Sequence, residues 1–181
     1  PNVQVFRPAD ALETAECWQI ALATDTAPSV LALTRDAVPT VLRAREGDEN
    51  LSAKGAYVVS GGDKRDVTLI ATGSEVAIAV EAAAELAKDG ISAAVVSMPS
   101  FELFRRQPDA YRMTVLGDAP RVAIEAAVEQ GWHEWLRHTD KFIGMHSFGA
   151  SAPAKKLYEH FGITAAKAAS AARDVIKSAK A

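Results

Sequence analysis

The chain has 181 residues, 49% of them hydrophobic and 24% charged, which suits one globular domain or one domain with part of a second. A formal net charge of -3 leaves no electrostatic footprint for nucleic acid, and no apolar run approaches the roughly 18–20 residues that cross a bilayer. The single cysteine, Cys17, excludes an internal disulfide and suits a reducing, cytoplasmic setting. The opening PNVQVFRPAD has no charged segment ahead of an apolar core, so no signal peptide is expected. It lacks a starting Met and enters almost directly into a strand over residues 3–6, as a fragment or a trimmed chain would. Asp10 is placed to cap a helix over 11–23, with Glu13 three residues on completing an acidic capping box. Leu12, Ala15, Trp18, Ile20 and Leu22 supply that helix's apolar positions. Cys17 on the same helix reads as a buried packing residue, since no histidine lies near it in sequence. PSVLALT (28–34) is an apolar run without strict alternation, which predicts a strand buried on both faces.

From Arg35 to Gly55 charges, Pro and Gly replace the apolar periodicity, and an interdomain linker is expected. The run AYVVSGGDKRDVTLIATG then places two β-rich segments around Gly61-Gly62, the signal of a hairpin whose first strand is an antiparallel edge. The second strand covers 67–71 and leads to a helix over 75–88 ended by Gly90. A strand stopped by Pro99 follows, then short helices capped by Ser100 and by Pro108-Asp109. RVAIEA is a strand, QGWHEWLRH a short helix and KFIGMH a last strand. Two closing helices follow, the second capped by Thr164. Strands alternating with helices predict an α/β three-layer sandwich. Its mostly parallel five-stranded sheet has one antiparallel edge, and a β-α-β unit precedes it.

The turn ATGSE after the second of these strands resembles the start of a phosphate site but lacks the required spacing. A dinucleotide fingerprint needs G-x-G-x-x-G and a nucleotide-binding loop needs G-x-x-x-x-G-K-[ST]. Here Gly73 is followed only by Ser74 and Glu75, and a carboxylate in the first helical turn would repel phosphate. Gly73 as a tight turn and Ser74 as a helix cap is the structural reading; a weak anion or effector site on free backbone N–H groups is the alternative.

Several motifs fall into one order: FRPAD, PSVLALTR, LIATGSEV, VVSMPS, Gln107 with Tyr111, RVAIEA, and GMHSFGASAPAKKLYEHFGIT. Together they resemble the C-terminal part of transketolase, the thiamine diphosphate-dependent enzyme of the pentose phosphate and Calvin cycles. The resemblance spans the chain, and FGASAPA followed by LYEHFG is its most specific piece. Ala127 departs from it, standing where the family usually carries the Gly of EAG. The resemblance implies that residues 1–40 end the pyrimidine-binding domain, 41–55 are a linker and 56–181 form the C-terminal domain. It also implies that thiamine diphosphate and its Mg or Ca are held elsewhere in the full-length enzyme. The isolated chain is then expected to bind no cofactor or metal, to have no catalytic residue of its own and to be inactive alone. Sugar phosphates as substrates and a homodimer follow from the same resemblance, with no role for nucleic acid or membrane. A stand-alone α/β module with an effector pocket at Gly73-Ser74, or a subunit of a split transketolase, remain as alternatives.

Arg35 matches the family's arginine for the substrate phosphate. It would stand just past the carboxyl end of a strand, where α/β proteins bind ligands, and its guanidinium can grip phosphate through two parallel hydrogen bonds. Judged from the residues alone, pairing with Asp36 is the alternative. Arg7 is expected in a structural salt bridge and Glu125 in a structural hydrogen bond. His133, His138, His146 and His160 have no metal-ligand spacing and are expected at the surface or at caps. Trp132, Trp135, Phe148 and Phe161 are core residues individually, and a subunit contact surface if they cluster.

Overall fold

A computed structural model of the chain describes residues 2–41, 49–62 and 64–180. Two sheets organise it. The first is a parallel pair, β1 (Gln4–Phe6) and β2 (Ser29–Leu31), joined by α1 (Ala11–Ala23). The second has five strands in the order β3-β5-β4-β6-β7, made by Tyr57–Ser60, Ala93–Ser97, Val67–Ala71, Arg121–Val128 and Lys141–Met145 respectively. All pairs in it are parallel except β3 with β5.

The alternation of side chains along the central strands builds the three layers. Leu69, Ala71, Val95, Val122 and Ile124 pack under α2 (Glu75–Lys88) and α6 (Ala165–Ala179). Ile70, Val96 and Ala123 face the other way, against α3 (Phe101–Arg105), α4 (Asp109–Leu116) and the 3₁₀ turn Trp132–Glu134. There Phe101 and Phe104 meet Trp135 with ring centroids 6.0 and 5.0 Å apart. Between β7 and α6 lies α5 (Ala154–Phe161), with no fully buried residue.

Two caps stand as the sequence predicts: Asp10 accepts from the N–H groups of Leu12 and Glu13, and Thr164 from that of Lys167. Gly90 has φ +70, the left-handed ending expected after α2. Of the linker expected over 41–55, residues 42–48 lie outside the described residues. Downstream, Leu51–Lys54 form a 3₁₀ turn tied to α1, where Ser52 donates to Glu16 and the Asn50 side chain donates to the Glu16 carbonyl and to Gln19.

The hairpin does not form. The strands β3 and β4 flank the Gly61-Gly62 turn, but β5 inserts between them. All five positions of β4 are buried, and β5 is nearly so, so both need neighbours on each side; β3, half exposed, is fit only for an edge. Gly61, at φ +90, lets the chain cross there: a Cβ on it would lie 2.5 Å from the carbonyl oxygen of Ala93. The strand β2 also differs. It is three residues long and half exposed rather than doubly buried, because β1 is its only neighbour among the described residues. The helix α1 buries Glu13 and Cys17 and leaves Trp18 and Leu22 exposed at 48% and 79%.

Candidate functional site

The carboxyl ends of β1, β4, β5 and β6 converge on the segment Arg7–Ala9. The Arg7 N–H donates to the Pro99 carbonyl just beyond β5 at 2.9 Å, and the Arg7 carbonyl accepts from the Gly73 N–H beyond β4 at 2.9 Å. The Arg7 guanidinium pairs with Glu125 on β6 and lies 5.3 Å from the centroid of the Phe101 ring. Glu125, 5% exposed, also accepts from the Trp132 indole N–H at 2.5 Å. Burial lowers the Arg7 pKa, and the charges of Glu75 and Glu102 oppose that shift. The salt bridge expected of Arg7 and the hydrogen bond expected of Glu125 are thus one network.

Around this network lies an open cleft of about 330 Å³, lined by Arg7, Leu33, Thr34, Glu75, Glu125 and Tyr158 among others. A second, of about 460 Å³, is lined by Thr34, Asp36, Ser74, Lys155 and Tyr158 among others. Thr34 belongs to both, so the chain leaving β2 passes between them. Arg35 sits on that segment and is exposed; the Asp36 N–H donates to Thr34 Oγ1, turning the chain at Arg35. No described carboxylate pairs with Arg35, Asp36 included.

At the ATGSE turn, Gly73 has φ +59, and its N–H is taken by Arg7. Ser74 stands at the N-cap position without capping. Its hydroxyl donates to Glu75 at 2.7 Å and lies 3.2 Å from Tyr158 Oη. Tyr158 also donates to Glu75, and burial together with the Glu75 charge raises the tyrosine pKa. The capping role expected of Ser74 therefore does not hold: the buried Glu75 is an acceptor one residue away.

The remaining candidates do not join the cleft chemistry. Cys17 is fully buried, and burial, then the Glu13 charge, pushes its thiol up to about 12. His133, His138, His146 and His160 are all exposed. Trp132 and Trp135 are core residues, Phe161 is half-buried and Phe148 is 98% exposed, so the four do not form one surface patch. Among the described residues no three His, Cys, Asp or Glu side chains gather to hold a metal ion. Among them, too, no helix is long and apolar enough to cross a membrane.

Sequence reasoning missed Glu13, read only as half of a capping box. It is fully buried and accepts from the N–H of Ala9, not of Asp10, and from hydroxyls on β3 and β5. The only local signal was its spacing from Asp10, and its partners are 44 and 84 residues away.

A mostly parallel α/β sheet with an antiparallel edge, a second small sheet stitched to its carboxyl ends and clefts at the junction define an α/β domain whose clefts lie where such sheets bind ligands. The comparisons narrow this. Residues 55–164 match the family model described as the transketolase-like C-terminal domain. The chain belongs to the transketolase family. It is 58% identical over 181 residues to a transketolase of Sinorhizobium medicae, covering 99% of this chain and 26% of that one. A Pichia stipitis transketolase in complex with sedoheptulose 7-phosphate superposes with a TM-score of 0.89 at 35% identity, covering 99% and 26% of the two chains. A split-gene transketolase, solved as an inactive β4 tetramer, superposes at 0.80 with 27% identity, covering 98% of this chain and 59% of that one. The chain spans about a quarter of the length of the curated relatives it matches.

Proposed function

We propose that this chain is the C-terminal segment of a transketolase, which moves a two-carbon glycolaldehyde unit from a ketose phosphate to an aldose phosphate. The observation that carries this is likeness along the whole chain to transketolases about four times its length, both in sequence and in fold. In this reading residues 1–40 end the pyrimidine-binding domain, 41–55 link and 56–181 form the C-terminal domain. Thiamine diphosphate and a divalent ion supply the carbanion chemistry when bound elsewhere in a cytoplasmic homodimeric enzyme of pentose phosphate or Calvin metabolism. The segment alone is inactive.

The contribution of this chain is placement. Arg35, exposed beyond the end of β2 and free of any described carboxylate, presents its guanidinium to the substrate phosphate. The stitched Arg7–Ala9 segment holds β1 and β2 against the larger sheet. At Gly73-Ser74 the joint reading is favoured over an anion site, because Glu75 occupies the turn and the Gly73 N–H is already engaged. The split-gene neighbour favours one other reading, a separate subunit completed by a second polypeptide.

Replacing Arg35 by Ala in the full-length enzyme tests the proposal. Loss of a charged hydrogen bond worth roughly 1.5–3 kcal/mol raises KM for phosphorylated sugars by about 10- to 150-fold. Unphosphorylated analogues are affected much less. An equal effect on both classes refutes the role of Arg35.

A further inference from the structure

Glu13 is a fully buried carboxylate with donors from three separate places. Its Oε2 accepts from the Ala9 N–H at 2.5 Å. Its Oε1 accepts from Tyr57 Oη and Ser97 Oγ, both at 2.7 Å. Tyr57 and Ser97 are directly opposed partners of the antiparallel β3–β5 pair. One oxygen thus grips the edge of the large sheet and the other grips the segment that leads out of the small one. A buried carboxylate demands its donors in one arrangement, where an apolar side chain would accept many.

The grip continues toward the cleft. Arg7, two residues before Ala9, is fixed by the Pro99 carbonyl and the Gly73 N–H, and by Glu125 through its side chain. Phe6, one residue earlier, accepts from the Ala32 N–H at 2.9 Å, on the stretch that runs from β2 to Arg35.

We infer that Glu13 is a positioning residue. By clamping Ala9 with one oxygen and the Tyr57–Ser97 pair with the other, it sets where Arg35 stands beyond the end of β2, between Thr34 and Asp36, which line the clefts. The inference rests on the phosphate role proposed for Arg35. Its effect on the reaction passes through Arg35 and not through contact with substrate.

The test is a double-mutant cycle in the full-length enzyme with phosphorylated and unphosphorylated sugars. Glu13→Gln keeps the volume and one acceptor oxygen but turns the other oxygen into an NH2 donor, so it cannot accept at both places. It is expected to raise KM for phosphorylated sugars about fivefold or more, since small misplacements are costly, and to change kcat less. In the Arg35→Ala background the same substitution is expected to change KM by less than about twofold, because coupled residues are not additive. A purely structural role would act equally on both sugar classes and in both backgrounds, and that result overturns the inference. If Arg35→Ala alone fails to discriminate between the sugars, the phosphate reading falls and this inference with it. If Arg35→Ala discriminates but does not couple to Glu13→Gln, only the inference falls. Should Glu13→Gln not fold, Ser97→Ala, which removes one donor, is expected to give about a twofold shift that is likewise lost in the Arg35→Ala background. An uncoupled result there overturns the inference.

Discussion

The Arg7–Glu125 pair is a charged contact that holds the small sheet to the large one, and replacing Glu125 by Gln probes it. Gln keeps the shape and an acceptor for the Trp132 indole, so the change isolates the charge. Breaking a fully buried pair costs roughly 3–5 kcal/mol. The Glu125 side chain is 6% exposed, but that of Arg7 is 31% exposed, so water recovers part of the guanidinium's solvation. Stacking over Phe101 and the nearby charges of Glu75 and Glu102 retain a little more. A loss of about 2 kcal/mol is therefore expected, or a Tm lower by about 4–8 °C for a chain of this size. Urea unfolding followed by tryptophan fluorescence measures it, because Trp132 sits against the substituted group. Arg7→Ala should cost a similar amount, and the double variant about 1 kcal/mol or more less than the sum. A Glu125→Gln chain within about 0.5 kcal/mol of the wild type, or strict additivity, would refute the reasoning.

Two further outcomes can be measured on the same chain. At Gly55, with φ +80, an added Cβ would lie 2.1 Å from the Phe104 amide nitrogen and 2.5 Å from the Ser100 carbonyl oxygen, so Gly55→Ala must displace α3. Gly90 has a similar φ of +70 but nothing within 4 Å. Gly90→Ala should cost about 1–2 kcal/mol of left-handed strain and Gly55→Ala clearly more, about 3 kcal/mol or above; equal urea midpoints would refute the steric account. The second outcome concerns pH. Burial raises the Glu13 pKa above its ordinary 4.5, and the hydrogen bonds from Ser97, Tyr57 and Ala9 only partly oppose this. A raised acid favours folding below its unfolded value and loses that contribution as pH climbs through the folded value. Wild-type stability relative to Glu13→Gln should therefore fall as pH rises above the ordinary 4.5, as read in parallel urea titrations; a flat or rising difference would contradict it.

The candidate site was legible in the sequence only where the residue types were unusual for their place. Arg7 beside a proline in FRPAD could be named in advance as a salt-bridge residue, whereas Arg35 was singled out by the family resemblance and not by its residue type. The Glu13 clamp could not: its hydroxyl partners come from strands far along the chain, and Tyr57 and Ser97 look like ordinary strand residues. Ser74 was misread for the same reason. Its local surroundings describe a cap, but its hydroxyl goes to Glu75 and lies near Tyr158, 84 residues on.

By itself the sequence determined the order of strands and helices, the capping by Asp10 and Thr164, the burial of Cys17 and the layered α/β class. Each of these is set by neighbours within a few residues, through periodicity, cap chemistry or side-chain size. Tertiary structure alone decided that β5 separates β3 from β4, that α1 keeps Trp18 and Leu22 exposed, and that Glu13 and Glu125 stitch the two sheets together. Those outcomes depend on which distant surfaces compete for the same buried edge, and no local pattern encodes that competition.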